Sequence, residues 1–351
     1  MSGTAETLPE PSEATVRQQR QLLLPVLTVV FLAALDLTVV APILPTIIDD
    51  LGISAVNADR YSWIVLSYLV AYTVTVPLTG RLSDYVGRIP VFTAAMILFM
   101  VGSVVVAIAE SLGPMIVGRT LQGLGGGAML PVSMALVADV IPQRRRAATL
   151  GMVAAVDTFG WVLGPVWGAA VNGIFDSWRA IFWLNLPLGA VAALVLYSTR
   201  ARTRPRTRED RPQLLSAVVG TLALVLFCLA LSSGGEAGLG AGQGQAQFGA
   251  DLNPLAKYRW PLLGVSLVSF ALFAFLERRS DRPILPRTLL RSKVFRIAGI
   301  GNILIGSALI IAMVNAPLAV ALLDDADLVA RDTAILLGSF TLAMTAGALA
   351  G

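Results

Sequence analysis

Apolar residues run along this chain in stretches of about twenty, separated by short clusters of charge, proline and glycine. A helix rising 1.5 Å per residue needs ~20 residues to cross ~30 Å of hydrocarbon. The stretches predict ten spanning helices, at 23–48, 62–80, 91–109, 113–138, 148–173, 178–199, 214–232, 259–276, 296–323 and 333–351. A membrane β-barrel would instead show alternating segments of ~10 residues, and none occurs. Lipid offers no partner to an unpaired backbone group, so helices are the remaining way to span it. The fold class is an all-α polytopic membrane protein.

Composition agrees: 56% of the 351 residues are hydrophobic and 14% are charged, against ~25% charged in soluble domains. Mean hydropathy is +0.76. The net charge of +4 and pI near 9.6 do not indicate nucleic acid, because the basic residues lie between the spans. Counted on alternate sides, 20 Arg and Lys fall on one side, including Arg17, Arg88, Arg144–Arg146 and the stretches at 200–211 and 278–296. The other side has five: Arg60, Arg179, Lys257, Arg259 and Arg331. The basic side is therefore expected to be cytoplasmic, with the N-terminus inside.

The expected organisation is a cytoplasmic tail at 1–21, six helices at 22–199, a basic linker at 200–213, two further helices at 214–276, a basic loop at 277–295 and two helices at 296–351. The Gly- and Gln-rich stretch at 232–259 reads as a long outer loop. The single Cys228 excludes an internal disulfide, and there is no histidine. Carboxylates are then the groups left to carry protons near neutral pH. No metal-ligand cluster, phosphate loop or nucleophile–base constellation is visible, so neither a cofactor nor an enzyme is expected.

Charged groups near a bilayer centre cost ~2.5–3.5 kcal/mol even on the mildest scale, and persist where they pair or line a cavity. Three stand out: Asp36, Arg119 and Asp157. Asp36 lies ~18 Å of helix rise from the outer end of the first span. Arg119 begins ~9 Å from the outer side of the fourth, and its side chain reaches ~6 Å deeper, so the two meet at similar depth. Asp157 lies ~14 Å from the cytoplasmic side, near the midplane. Asp36 and Arg119 are either a proton-coupling site or a static ion pair. Asp157 either titrates or hydrogen-bonds a neighbouring helix.

Several motifs complete the reading. "GRLSDYVGR" carries Gly80, Asp84, Gly87 and Arg88, a tight turn whose charges can grip neighbouring helix ends, or else a plain basic loop. Arg119, Gln122, Gly123 and Gly125 follow R-x-x-Q-G-x-G, and "GWVLGPVWGA" places Gly160, Gly164 and Gly168 on one helix face around Pro165. The glycines let a second backbone approach, as a moving joint or a packing seam. Met129, Trp161 and Trp167 read as filler or interface anchors.

Together with "LDLTVVAPILP" and "WRAIFWLNLPLG", these stretches resemble the major facilitator superfamily, and within it the fourteen-span drug:proton antiporters. Ile89 and Ala169 depart from the family pattern. The resemblance implies a secondary active transporter that exports hydrophobic or cationic small molecules against protons, powered by the proton gradient. Metabolite, lipid or siderophore transport on the same fold is the alternative. It also implies that Asp36, Arg119, Asp157 and Gln122 face a central cavity, that "GRLSDYVGR" forms a cytoplasmic gate, and that four spans of the second bundle are missing, as in a non-transporting fragment.

Overall fold

The computed structural model describes residues 13–52, 58–198, 214–232, 256–280 and 291–301, with positions 288, 303, 304, 307, 339 and 343. The helices expected at 296–323 and 333–351, the linker 200–213 and most of the 232–259 loop lie largely or wholly outside the described residues. The described part is helical throughout: α1 (Glu13–Asp50), α2 (Ala58–Val86), α3 (Arg88–Ala107), α4 (Leu112–Val140), α5 (Gln143–Phe175), α6 (Arg179–Ser198), α7 (Leu214–Ser232) and α8 (Arg259–Arg279), with a 3-10 turn at Ala256–Tyr258. Among the described residues, six helices are long and apolar enough to cross a membrane, and α6 and α7 contain shorter apolar stretches.

Helices run past the apolar stretches that announce them. α1 begins at Glu13, inside the expected tail, and α5 begins at Gln143, so Arg144–Arg146 lie in its first turns. Charge ends a hydropathic run at the membrane surface, but it does not end a helix whose backbone bonds continue into the headgroups.

α1 packs on α5 and α6 and touches α4, which lies against α2 and α3; α7 and α8 pair with each other and join the bundle through α2. Without a hydrophobic drive between helices in lipid, close approach and interhelical hydrogen bonds hold such a bundle. Ser266 Oγ of α8 donates to the Ala223 carbonyl of α7 at 2.9 Å, Ser216 Oγ bonds Glu277 Oε1, and Phe227 meets Phe270 edge-on. Trp260, Leu267, Val268 and Phe275 of α8 stay exposed, as a lipid-facing surface requires.

Two apolar layers fill the first six helices. One joins Leu22, Val26 and Val29 of α1 to Phe92, Met96 and Phe99 of α3 and Met129, Val132 and Leu136 of α4. The other joins Val39, Ile43 and Ile47 of α1 to Ile64, Met115, Ile181 and Phe182. Between them in sequence, on α1, α3, α4 and α6, lie Asp36, Ser103, Arg119, Gln122 and Asn185, all buried. A polar layer at this depth is costly unless each member is satisfied.

Candidate functional site

Arg119 and Asp36 meet in that layer. Arg119 Nη1 lies 2.6 Å from Asp36 Oδ2 and donates to Gln122 Oε1 at 3.0 Å, while Arg119 Nη2 donates to the Asp36 carbonyl at 3.4 Å and Nε to the Ile64 carbonyl at 3.3 Å. The guanidinium also stacks 4.3 Å from the centroid of Tyr68, whose hydroxyl donates to the Ala33 carbonyl. The other carboxylate oxygen, Asp36 Oδ1, accepts from Gln122 Nε2 at 3.1 Å and Asn185 Nδ2 at 3.0 Å. Both amides also reach Ser103 Oγ.

This geometry corrects one expectation. Asp36, Arg119 and Gln122 do not line an open cavity: each is 0% exposed. Partners from α1, α2, α4 and α6 satisfy both carboxylate oxygens and all three guanidinium nitrogens, and Ser103 of α3 accepts from the two amides. A buried pair is tolerable on these terms, since desolvation is offset only by good geometry and extra hydrogen bonds. Tyr68, Ser103 and Asn185 are members that the sequence reading missed. Asn185, an amide inside the run "IFWLNLP", was the one visible signal; serine and tyrosine are too common in spans to stand out.

Asp157 sits apart from this network. It is half-buried on α5, and among the described residues no hydrogen bond or ion pair reaches it. Tyr72 and Tyr68 of α2, whose rings stack 6.1 Å apart, lie within electrostatic reach of it. Of the two acids deep within the spans, Asp36 is saturated, while Asp157 has no hydrogen-bond or ion-pair partner among the described residues.

The three α5 glycines face α1 of the same bundle. A methyl at Gly160 would come 2.8 Å from the Phe31 carbonyl oxygen, and one at Gly164 would come 2.7 Å from that of Leu35. The second backbone at this seam is that of α1. Pro165 has no N–H, so the carbonyl four residues earlier, that of Trp161, loses its helical donor. Thr38 Oγ1 of α1 supplies the replacement at 3.0 Å.

At the end of α2, Gly87 adopts φ 107°, a conformation open to glycine, and turns the chain directly into α3. Arg88 then reaches back over α2, pairing with Asp84 at 2.5 Å and donating to Ser83 Oγ at 2.6 Å and to the Gly80 carbonyl at 3.3 Å. Its Nε donates to Asp139 Oδ2, at the end of α4, at 3.0 Å. "GRLSDYVGR" thus ties α2, α3 and α4 together within one bundle. Asp139 had no signal in the sequence beyond its charge.

At the opposite end, Arg179 pairs with Asp50 at 2.5 Å and donates to the Ala109 carbonyl, while Trp178 Nε1 donates to Asp50 Oδ2. The Arg179 hydrogen bond, aided by Trp178, holds the Asp50 carboxyl below its ordinary value of 3.8. A lowered carboxyl stabilises the fold above its unfolded-state value and loses that contribution as pH falls through the folded-state value. Asp50→Asn is expected to lower stability at neutral pH by at most about 1 kcal/mol, since the pair is partly exposed. Thermal unfolding in detergent should show the difference from wild type vanish below about pH 3.

A bundle of long apolar helices with a satisfied charge layer and a glycine–proline seam defines a class of polytopic membrane protein, and the comparisons identify it. The family model described as Major Facilitator Superfamily matches residues 26–351, and the chain belongs to that superfamily. The triacylglyceride transporter of Mycolicibacterium hassiacum is 35% identical over 326 residues, which are 92% of this chain and 57% of that protein. The triacylglyceride transporter of Mycobacteroides abscessus is 34% identical, again over 92% of this chain and over 60% of its own length. The chain therefore spans little more than half the length of these relatives. The partially occluded inward-open structure of the xylose transporter XylE from E. coli matches with a TM-score of 0.53 at 14% identity, covering 93% of this chain and 82% of that one, and shares the fold alone.

Proposed function

We propose that the protein takes part in proton-coupled secondary transport of a lipid or other lipophilic molecule out of the cell, with Asp157 as the exchanging acid. The N-terminus and the arginine-rich ends face the cytoplasm in this reading. The observation that carries it is the contrast between two acids in one bundle. Asp36 is enclosed by an arginine and two amides with no surface open to cargo, whereas no hydrogen bond or ion pair among the described residues reaches Asp157. A partnerless acid in a low-dielectric setting changes charge at large energetic consequence, and a charge change there biases one helix arrangement over another.

Cargo class rests on the relatives, two of which are named triacylglyceride transporters. A second reading, a lipophilic cation, is favoured by a specific feature: Asp157 is a half-buried carboxylate with no basic partner among the described residues, a charge that attracts a cation. The energy source is the proton gradient, and no cofactor enters.

The test is reconstitution of the full chain in vesicles with an imposed pH gradient, followed by flux of a fluorescent triacylglycerol and of a lipophilic cationic dye. Gradient-driven flux of the lipid is expected. Flux of the dye alone would replace the lipid reading with the cation reading, and movement of neither would remove transport by this chain.

A further inference from the structure

Two unpartnered polar groups lie one helical turn apart on α5. Trp161 Nε1 is buried with no hydrogen-bond partner, and among the described residues no hydrogen bond or ion pair reaches the Asp157 carboxylate. Residues at i and i+4 share a helix face, and long side chains lean toward the helix N-terminus, so the Trp161 indole is directed over the turn that carries Asp157. An indole N–H can only donate, and a buried donor without an acceptor calls for a cause.

We propose that Trp161 is the positioning residue of Asp157: its indole N–H receives the ionised carboxylate and parts from it when the acid binds a proton. The structure shows the parted arrangement. The inference rests on the reading above that Asp157 exchanges a proton.

Other groups around Asp157 are committed or differently suited. From α2, the Tyr68 hydroxyl is held by the Ala33 carbonyl, and Tyr72 stacks on Tyr68 with a hydroxyl that is not among the buried unpartnered atoms. From α1, Asp36 is held by Arg119, Gln122 and Asn185; from α4, Arg119 is spent on that same acid. On α5 itself, Arg144–Arg146 lie about three turns away. From α6, Arg179 is tied to Asp50. Trp161 is thus the donor-only group with nothing else to bind.

The same residue carries the carbonyl that Pro165 leaves free and Thr38 holds. Charge at Asp157 therefore reaches the α1–α5 seam through one residue, at the point where the helix has lost a backbone bond.

The experiment is the indole N–H spectrum of the ¹⁵N-labelled full chain in lipid nanodiscs, with its six tryptophans, titrated from pH 5 to pH 9. The Trp161 signal is assigned by Trp161→Phe, or by selective loss under a spin label at a neighbouring position should that variant fold poorly. Expected is a downfield move of the Trp161 signal alone, with one inflection that Asp157→Asn abolishes. A flat Trp161 signal, while proton uptake that depends on Asp157 is still measured, overturns the inference and leaves the proposed function standing. If Asp157→Asn changes neither the signal nor proton uptake, both fall.

Discussion

Asp36→Ala is expected to leave little folded protein. The substitution removes the 2.6 Å partner of Arg119 and strands a guanidinium at the centre of five helices, against the Tyr68 ring and the Ile64 carbonyl. Breaking one side of a buried pair costs about 3–5 kcal/mol, largely through the charge left behind. Gln122 and Asn185 lose an acceptor as well, each worth about 1–3 kcal/mol when buried. Against a total stability of about 5–15 kcal/mol, the sum is a large fraction. Thermal unfolding of the purified protein in detergent should show a collapse in melting temperature. Asp36→Asn, which keeps an oxygen toward Arg119, should lose less. The double variant Asp36→Leu with Arg119→Met should recover most of the loss, because no charge is left unpaired.

The second large effect concerns transport and spares the fold. Asp157→Asn is expected to fold as wild type, since no hydrogen bond or ion pair is lost with the carboxylate, yet its flux should stop responding to pH. Coupling between two ligands of one protein is typically about 1–3 kcal/mol, or about 5- to 150-fold in affinity. A group that cannot change charge makes no differential contribution between two states, so stimulation of cargo flux by a pH gradient should fall from that range to none. Flux measured at equal protein, with and without the gradient, checks it.

The sequence exposed the helices well because crossing lipid demands an unbroken apolar stretch, and six of the described helices carry one. Helix ends were less visible: Arg144–Arg146 closed the hydropathic run while α5 had already begun at Gln143. Counting helix rise placed Asp36 and Arg119 at one depth, and the two do meet. Whether they meet in water or in a sealed layer was out of reach, since Gln122 and Asn185, which saturate the carboxylate, and Ser103, which orients both amides, arrive from three different helices. The four-residue glycine period in α5 was plain, but the identity of the packing partner was not. Nothing in "LDLTVV" announces that Thr38 will answer the carbonyl that Pro165 frees 123 residues away. Local pattern reports what a helix can tolerate; the tertiary fold decides what it touches.

The division of labour between the two acids is tested most directly by one comparison: the ratio of cargo flux with and without a pH gradient, in Asp157→Asn and in folded Asp36→Asn side by side. Expected is a ratio near unity for Asp157→Asn and a wild-type ratio for the folded fraction of Asp36→Asn. The reverse, a gradient-driven Asp157→Asn beside an unresponsive Asp36→Asn, would make the buried pair the exchanging site and contradict a purely structural role for it.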